Sequence, residues 1–433
     1  MQHIQGISRH QLQMSSLEDK ITADNPVRFI DAFVNHIDPV KIGFQPKILK
    51  TEGRPNFRLE VFLKLYLYGY LNGVRSSRRL EKECFRNIEV QWLLEAIYPN
   101  YHSIADFRKD NPKALKQLFK LFVSFLKDAE LIAGDTIAID GTKSRAHNSK
   151  KANYNQKKID KHKAYIDAKS QEYLDQLEQN DIQENPVAIK NIQQKIERLK
   201  QNKIKYELLE EELKNSGEPQ ISTTDADARA LLVQGQVVEV SYNIQAAVDS
   251  KHNLVVATHT INRNDKNALA AIALEVKENL ALETFTVLVD KGYHNGRELH
   301  TCKQNNITTI VAVPEQGKSN ENGTQPEYLV SKFIYNKENN SYTCPEGKTL
   351  TTTGSWHKKT GRTEESGYNF QKYRTPACKT CLVKDLCTSR NGGREIDRSQ
   401  YADAVEENHQ RYKDNPQLYR KRQEINEHIF GTI

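Results

Sequence analysis

Two short stretches of the chain carry carboxylates where chemistry could be done. In "TIAIDGTK" Asp140 closes an apolar run and Gly-Thr-Lys follows; in "TFTVLVDKGY" Asp290 closes another and Lys-Gly-Tyr follows. A carboxylate at the end of a strand-like run is costly if buried, unless something pairs with it. If the two strands are neighbours, the carboxylates converge although 150 residues separate them. Two like charges that close raise one pKa unless a cation sits between them. Hard divalent ions such as Mg²⁺ take one or two carboxylates plus phosphate oxygens. A pair of such ions about 4 Å apart can activate a nucleophile and stabilise a leaving oxygen at phosphorus. Aspartate also opens turns commonly, so on spacing alone both residues read equally well as strand ends that begin turns.

The last segment, "QLYRKRQEINEHIFGTI", offers a third acid. Glu424 and Glu427 are three apart on a helical pattern and project from one side, with Ile425, Ile429 and Phe430 available for packing. Four of the six cysteines lie together: Cys344 in "YTCPEGKTL", and Cys378, Cys381 and Cys387 in "PACKTCLVKDLCTS". The Cys-x₂-Cys pair is a common metal knuckle, and four thiolates make a closed tetrahedral zinc site. In a cytoplasmic protein metal is favoured over disulfides, so these four are candidate ligands of a structural Zn²⁺.

The elements that must position these groups follow from periodicity. From Asn25 to about Leu131 the pattern is helical; Leu59, Phe62, Leu63, Tyr66, Leu67 and Tyr70 mark one amphipathic helix, which Gly73 stops. Ser76 or Ser77 can cap a second helix, and Ser103 with Asp106 has capping-box spacing for another. Short basic helices after a tight turn are the make-up of helix-turn-helix readers. "TIAID" reads as a buried strand that ends at a Gly-Thr-Lys turn. Residues 150–216 read as long, solvated helices. A strand hairpin, "VVEVSYNIQAAVDSKHNLVVATHTIN", comes next, followed by helix, strand, helix and strand. That order predicts a mixed sheet flanked by helices, an α/β core.

The chain has 433 residues, 37% apolar and 27% charged, with formal charge +7. No apolar run reaches membrane-spanning length, and "MQHIQGISRH" lacks the apolar centre of a secretory signal; a cytoplasmic protein without a membrane partner is expected. The basic excess gathers in "GVRSSRRLEKECFRN" and "YRKRQEIN", a placement compatible with phosphate neutralisation on nucleic acid and also with an ordinary solvated face.

Five stretches in order, "IAIDGTKSRAHNS", "TDADAR", "SYNIQAAVD", "VLVDKGYHNGREL" and "NEHIFGTI", resemble bacterial insertion-sequence transposases of the DDE type. "SIADFRKDNP" resembles the segment before their catalytic core. The resemblance covers nearly the whole chain. It implies a ribonuclease-H-like core, an all-α N-terminal domain, and a metal-binding triad of Asp140, Asp290 and Glu427, with Glu424 as the alternative third acid. Two Mg²⁺ per site, replaceable by Mn²⁺, are implied as cofactors. The implied partners are DNA, as terminal inverted repeats and target, and further copies of the chain. Arg75, Arg78 and Arg79 in the N-terminal helices are expected to touch DNA, together with Lys143, Arg145, Lys291 and Arg422. Asn243, Gln245, Asp265, His294 and His428 are secondary candidates near the site, Asp265 also reading as a helix cap.

The expected partition is a helical DNA-binding domain over 1–132 and a core over 133–317 with its helical insertion at 150–216. A Cys-rich insertion over 318–394 and a C-terminal helix of the core over 395–433 complete it. The resembled family continues past "FGTI" with a basic residue seven positions beyond Glu427. This sequence stops at Ile433, and the expectation is a chain shortened at that end. Two rival functions stay open at this stage: a metal-dependent nuclease that never joins strands, and a DNA-binding protein without catalysis.

Overall fold

The computed structural model describes residues 8, 10–12, 14–45, 55–147, 150–182, 186–233, 237–314, 324–361 and 367–432. It divides into two compact units, Met1–Phe125 and Leu126–Ile433.

The first unit is helical: α1 (Pro26–His36), α2 (Leu59–Leu71), α3 (Ser77–Arg86), α4 (Ile88–Leu93), α5 (Tyr101–Asp110) and α6, Pro112–Asp128, which runs across the division. Asn25 caps α1 through the Val27 N–H at 3.0 Å. Leu63, Leu65, Leu80, Val90, Leu93 and Ile104, all nearly inaccessible, form its centre. A side chain at Gly69 would meet Val74 O at 2.6 Å and the Leu80 Cδ2 at 2.7 Å, so glycine there lets α3 close on α2. The capping-box expectation for α5 is corrected. Asn100, not Ser103, is its cap, accepting from the Ser103 N–H at 2.9 Å, because the helix begins three residues earlier.

In the second unit β1 (Thr136–Arg145) is followed by the two-residue pairing of β2 (Asn153–Tyr154) with β3 (Ile221–Ser222). These enclose a hairpin of long helices, α7 (Gln156–Ile182) and α8 (Pro186–Ser216). Next come β4 (Arg229–Val233), β5 (Val237–Asp249), β6 (Val255–Ile261), α9 (Leu269–Asn279), β7 (Phe285–Val289), α10 (Gly296–Gln304) and β8 (Ile307–Val311). The six strands form one mixed sheet. β4 and β6 pair antiparallel with successive stretches of β5, β5 is antiparallel to β1, and β1, β7 and β8 run parallel in that order.

The chain then builds two small antiparallel sheets. β9 (Ile334–Asn336), β10 (Ser341–Thr343) and β11 (Thr349–Thr351) make the first. The second joins β12 (Trp356–Lys359), β13 (Tyr368–Tyr373) and β14 (Ile396–Ser399), and the short α11 (Lys384–Cys387) precedes β14. Two helices close the chain, α12 (Ala402–Asp414) and α13 (Pro416–Thr432). Ile425 of α13 packs with Ala138, Ala246, Val248, Leu288 and Ile310 on one face of the large sheet. Among the described residues no helix is long and apolar enough to cross a membrane.

β1 does not end at Asp140. It continues to Arg145 because β5 keeps pairing with it, Asp140 opposite Ala246 and Arg145 opposite Ser241. The lead-in to β1 is held by Asp249, a fully buried carboxylate that accepts from Gly134 N at 2.8 Å, Lys251 N at 2.9 Å and Ala133 N at 3.3 Å. Each buried N–H left without its acceptor costs about 1–3 kcal/mol. Asp249→Ala should therefore destabilise the second unit by roughly 2 kcal/mol or more, read as a lower denaturant midpoint in urea unfolding.

Candidate active site

The site starts from a register. β1 and β7 pair as Thr136–Thr286, Ile137–Val287 and Ala138–Leu288. Two residues further along, each strand reaches its aspartate, so Asp140 and Asp290 stand at the same level on neighbouring parallel strands. Side chains alternate across a sheet, and both aspartates share the face of Ala138 and Leu288, which α13 covers.

Each carboxylate is held by local backbone. Asp140 Oδ1 accepts from Gly141 N at 2.8 Å. Asp290 caps the 3₁₀ turn Lys291–Tyr293 by accepting from Gly292 N at 2.7 Å. Asp140 Oδ2 also accepts from Arg422 Nη1 at 2.9 Å, and the Arg422 side chain is only 13% exposed. Burial pushes the Asp140 carboxyl above the usual carboxylate range. The Gly141 N–H and the Arg422 guanidinium oppose that rise, and the charge of Asp290 adds to it.

A polar network lies on the other face, behind Gly141. Asp265 accepts from Asn243 Nδ2 at 2.7 Å, Gln245 Nε2 at 2.8 Å and Lys143 Nζ at 3.2 Å. Tyr293 donates its hydroxyl to Gln245 Oε1. Asn243, Gln245 and Tyr293 are fully buried. Burial, then the charges of Asp265, Asp140 and Asp290, hold the Tyr293 phenol well above its ordinary pKa and so neutral. A Cβ on Gly141 would lie 2.2 Å from Gln245 Nε2 and 2.9 Å from Asp265 Oδ1, so a larger residue would have to displace the hydrogen-bonded ends of this network. Asp265 opens a 3₁₀ turn, Asp265–Asn267, before α9, but its carboxylate serves this network. The alternation in "SYNIQ" is the signal for that, since it sets Asn243 and Gln245 on one face.

Arg422 and Asn426, one helical turn apart, share the face of α13 turned to the sheet. Asn426 is 2% exposed, and neither of its amide atoms has a partner; its type and place gave no warning of this in the sequence. Glu427 and Glu424 are exposed. The β1–β7 register brings Asp140 and Asp290 to one level, whereas Glu427 is exposed on α13. Of the expected DNA contacts, Lys143 is committed to Asp265. Arg145, Lys291, Arg75, Arg78 and Arg79 are exposed, and Arg78 lies 5.1 Å from the centre of the Tyr101 ring. Burial lowers the pKa of His294, whose Nε2 has no partner. The side chain of His428 lies outside the described residues. No three of the described His, Cys, Asp and Glu side chains form a ready-made metal cage.

Residues 15–110 match the family model of a transposase domain (DUF772), and residues 343–433 match that of a transposase DDE domain. The two matches support an insertion-sequence transposase of the DDE type. Neither a curated protein nor a solved structure matches it. The second match takes in the four clustered cysteines and α13, while Asp140 and Asp290 lie outside both matched ranges.

The electrostatics of Asp140 have a sign that can be checked. Its folded-state pKa lies above the unfolded one, so its contribution to stability is present at low pH and is lost as pH rises through the folded pKa. In ¹³C-carboxyl NMR titrations of metal-free protein, Asp140 should titrate above an ordinary aspartate. Asp290→Asn should move that titration down by removing a like charge, and Arg422→Ala should move it further up by removing the cation.

Proposed function

We propose that this protein is a transposase that cuts DNA at the ends of its element and joins the freed ends to target DNA at Asp140 and Asp290. The observation that carries the reading is the parallel register that sets the two carboxylates side by side. The strand order β6-β5-β1-β7-β8, antiparallel in its first two pairings and parallel in its last two, supports a ribonuclease-H-like core over 133–317 with 150–216 as its helical insertion. The helical unit supports a DNA-binding domain over 1–132. Residues 318–394 are then a Cys-rich insertion, and 395–433 return to the core with the third acid, Glu427.

The donor set suits a hard divalent cation. Two half-buried carboxylates stand together, and Asp140 is under-compensated by its one guanidinium partner. Asp140 and Asp290 would hold the ions, with Glu427 as third ligand. Bound Mg²⁺ or Mn²⁺ would lower the pKa of an attacking water and stabilise the leaving oxygen at phosphorus. The chain's own groups do the rest. Exposed Arg145 and Lys291 bind backbone phosphates beside the site. Arg75, Arg78 and Arg79 bind phosphates on the helical unit. Asp265, Gln245 and Tyr293 fix the floor beneath Gly141. Phosphoryl transfer depends mostly on such positioning and charge stabilisation. Several copies of the chain would act together on paired DNA ends.

A second reading, DNA binding without catalysis, draws on the exposure of Glu427 and on Arg422 standing against Asp140. The test is Mn²⁺-dependent cleavage and joining of labelled DNA carrying the ends that flank this gene. Under the main reading both steps occur, and Asp290→Ala lowers them at least about 100-fold, beyond the loss that even a ligand's outer partner causes, while DNA binding persists. Cleavage without joining would make the chain a nuclease. Binding without cleavage in the unsubstituted chain would establish the second reading.

A further inference from the structure

Cys344, Cys378, Cys381 and Cys387, though up to 43 residues apart in sequence, line one cavity of about 30 Å³, the room of a single ion or water. None of the four is in a disulfide, and each is partly buried. They reach the cavity on three separate pieces of backbone.

Cys344 follows β10 in a tight turn. Its N–H donates to Lys348 O at 2.9 Å, the Gly347 N–H donates to Cys344 O at 2.8 Å, and the Lys348 N–H donates to the Cys344 sulfur at 3.2 Å. Cys378 lies in the 3₁₀ turn Pro376–Thr380, and Cys381 is the residue that ends it. Cys387 is the last residue of α11. Gly393 has φ +92°, and a Cβ there would stand 2.3 Å from Cys378 Cβ, so the returning chain is pressed against this turn.

The surroundings fit a tetrathiolate. Four thiolates around one divalent ion carry a net charge of −2, and three basic residues, Lys348, Lys384 and Arg394, line the same cavity against one acid, Glu346. Arg394 also donates to Cys387 O at 3.3 Å. The apolar centre of this segment is small: Phe333, Tyr342, Leu350, Tyr373 and Ile396, with Cys344 and Cys387 packed against it. Small sheets with so little core usually need a metal or disulfide staple.

We propose that these four residues bind one Zn²⁺ as thiolates, a structural site apart from the carboxylates of the large sheet. Binding exchanges four thiol protons for the ion and involves no change of oxidation state. As placed, the sulfurs ring the cavity without closing on a common point. Each cysteine has a single side-chain torsion to turn, and the metal supplies the reason to turn it.

The test uses the full-length chain expressed with zinc in the medium. Metal analysis should find about one zinc per chain, the closed four-thiolate site, and the same content in an Asp140→Ala/Asp290→Ala double variant. Cobalt exchanged into the site should give the visible bands of tetrahedral thiolate coordination. Cys381→Ser should lose the metal, whereas Cys84→Ser should keep it. Should Cys381→Ser fail to fold, alkylation of the unsubstituted chain decides. Cys344, Cys378, Cys381 and Cys387 should be protected until a chelator is added. Zinc absent from the folded chain, zinc lost with the two aspartates, or alkylation indifferent to chelator would each overturn the proposal.

Discussion

The parallel pairing of β1 with β7 is the constraint on which the rest of the second unit depends. It fixes two carboxylates at one level on adjacent strands, and that arrangement is unfavourable by itself. Like charges in a partly desolvated place repel, and each also loses hydration. The chain answers with groups that do not neutralise the pair fully. Gly141 and Gly292 offer N–H donors, and Arg422 offers one cation to one of the two acids. The lysine nearest along β1, Lys143, points to the opposite face and is taken by Asp265. A site left with surplus negative charge is poised to gain from a cation, whereas a structural ion-pair network would have closed that gap.

The helix that covers the site adds a second constraint. On a 3.6-residue repeat Arg422 and Asn426 share a face, and Glu427 lies about 100° further round. With Arg422 and Ile425 turned to the sheet, Glu427 is turned toward solvent. Asn426, buried with its whole amide unpartnered, is the least satisfied group on that helix. Buried polar groups without partners cost of order 1–3 kcal/mol each, so the inward face of α13 is held by apolar contacts and Arg422 against a local penalty.

Periodicity made most of the elements legible. The helical unit, the α7–α8 hairpin, the β5–β6 hairpin and the alternation of α9, β7, α10 and β8 each follow from apolar spacing and turn residues. Failures came where tertiary pairing overrode local signals. "DGTK" has the composition of a turn, yet β5 holds it extended through Arg145. β4 is five residues long and gains strand form mainly from the edge of β5, so nothing in "RALLV" announced it. Of the site, the two aspartates were visible as apolar runs that end in acids. The network beneath them was only half visible. Asn243 and Gln245 alternate as a strand should, but burial of both depends on Asp265 arriving from a loop about twenty residues on.

The Cys-rich segment raises a topological question that the sheet edge answers. The chain leaves the large sheet after β8, builds two small sheets, and must return so that α13 covers the face carrying Asp140. The return is anchored at the edge strand. Asn408 of α12 accepts from Val311 N at 2.9 Å and donates to Val311 O at 3.0 Å, so one side-chain amide takes the place of a neighbouring strand. Arg411 adds a donation to Thr309 O at 2.9 Å. An exposed edge would otherwise invite pairing with another chain. α12 is also tied to the small sheets, since Arg398 of β14 ion-pairs with Asp403 and Glu406 of α12 and donates to the Tyr342 hydroxyl of β10 at 2.9 Å. The return is thus fixed both by β8 and by the small sheets, so the order of the Cys-rich segment bears on where α12, and α13 after it, is set.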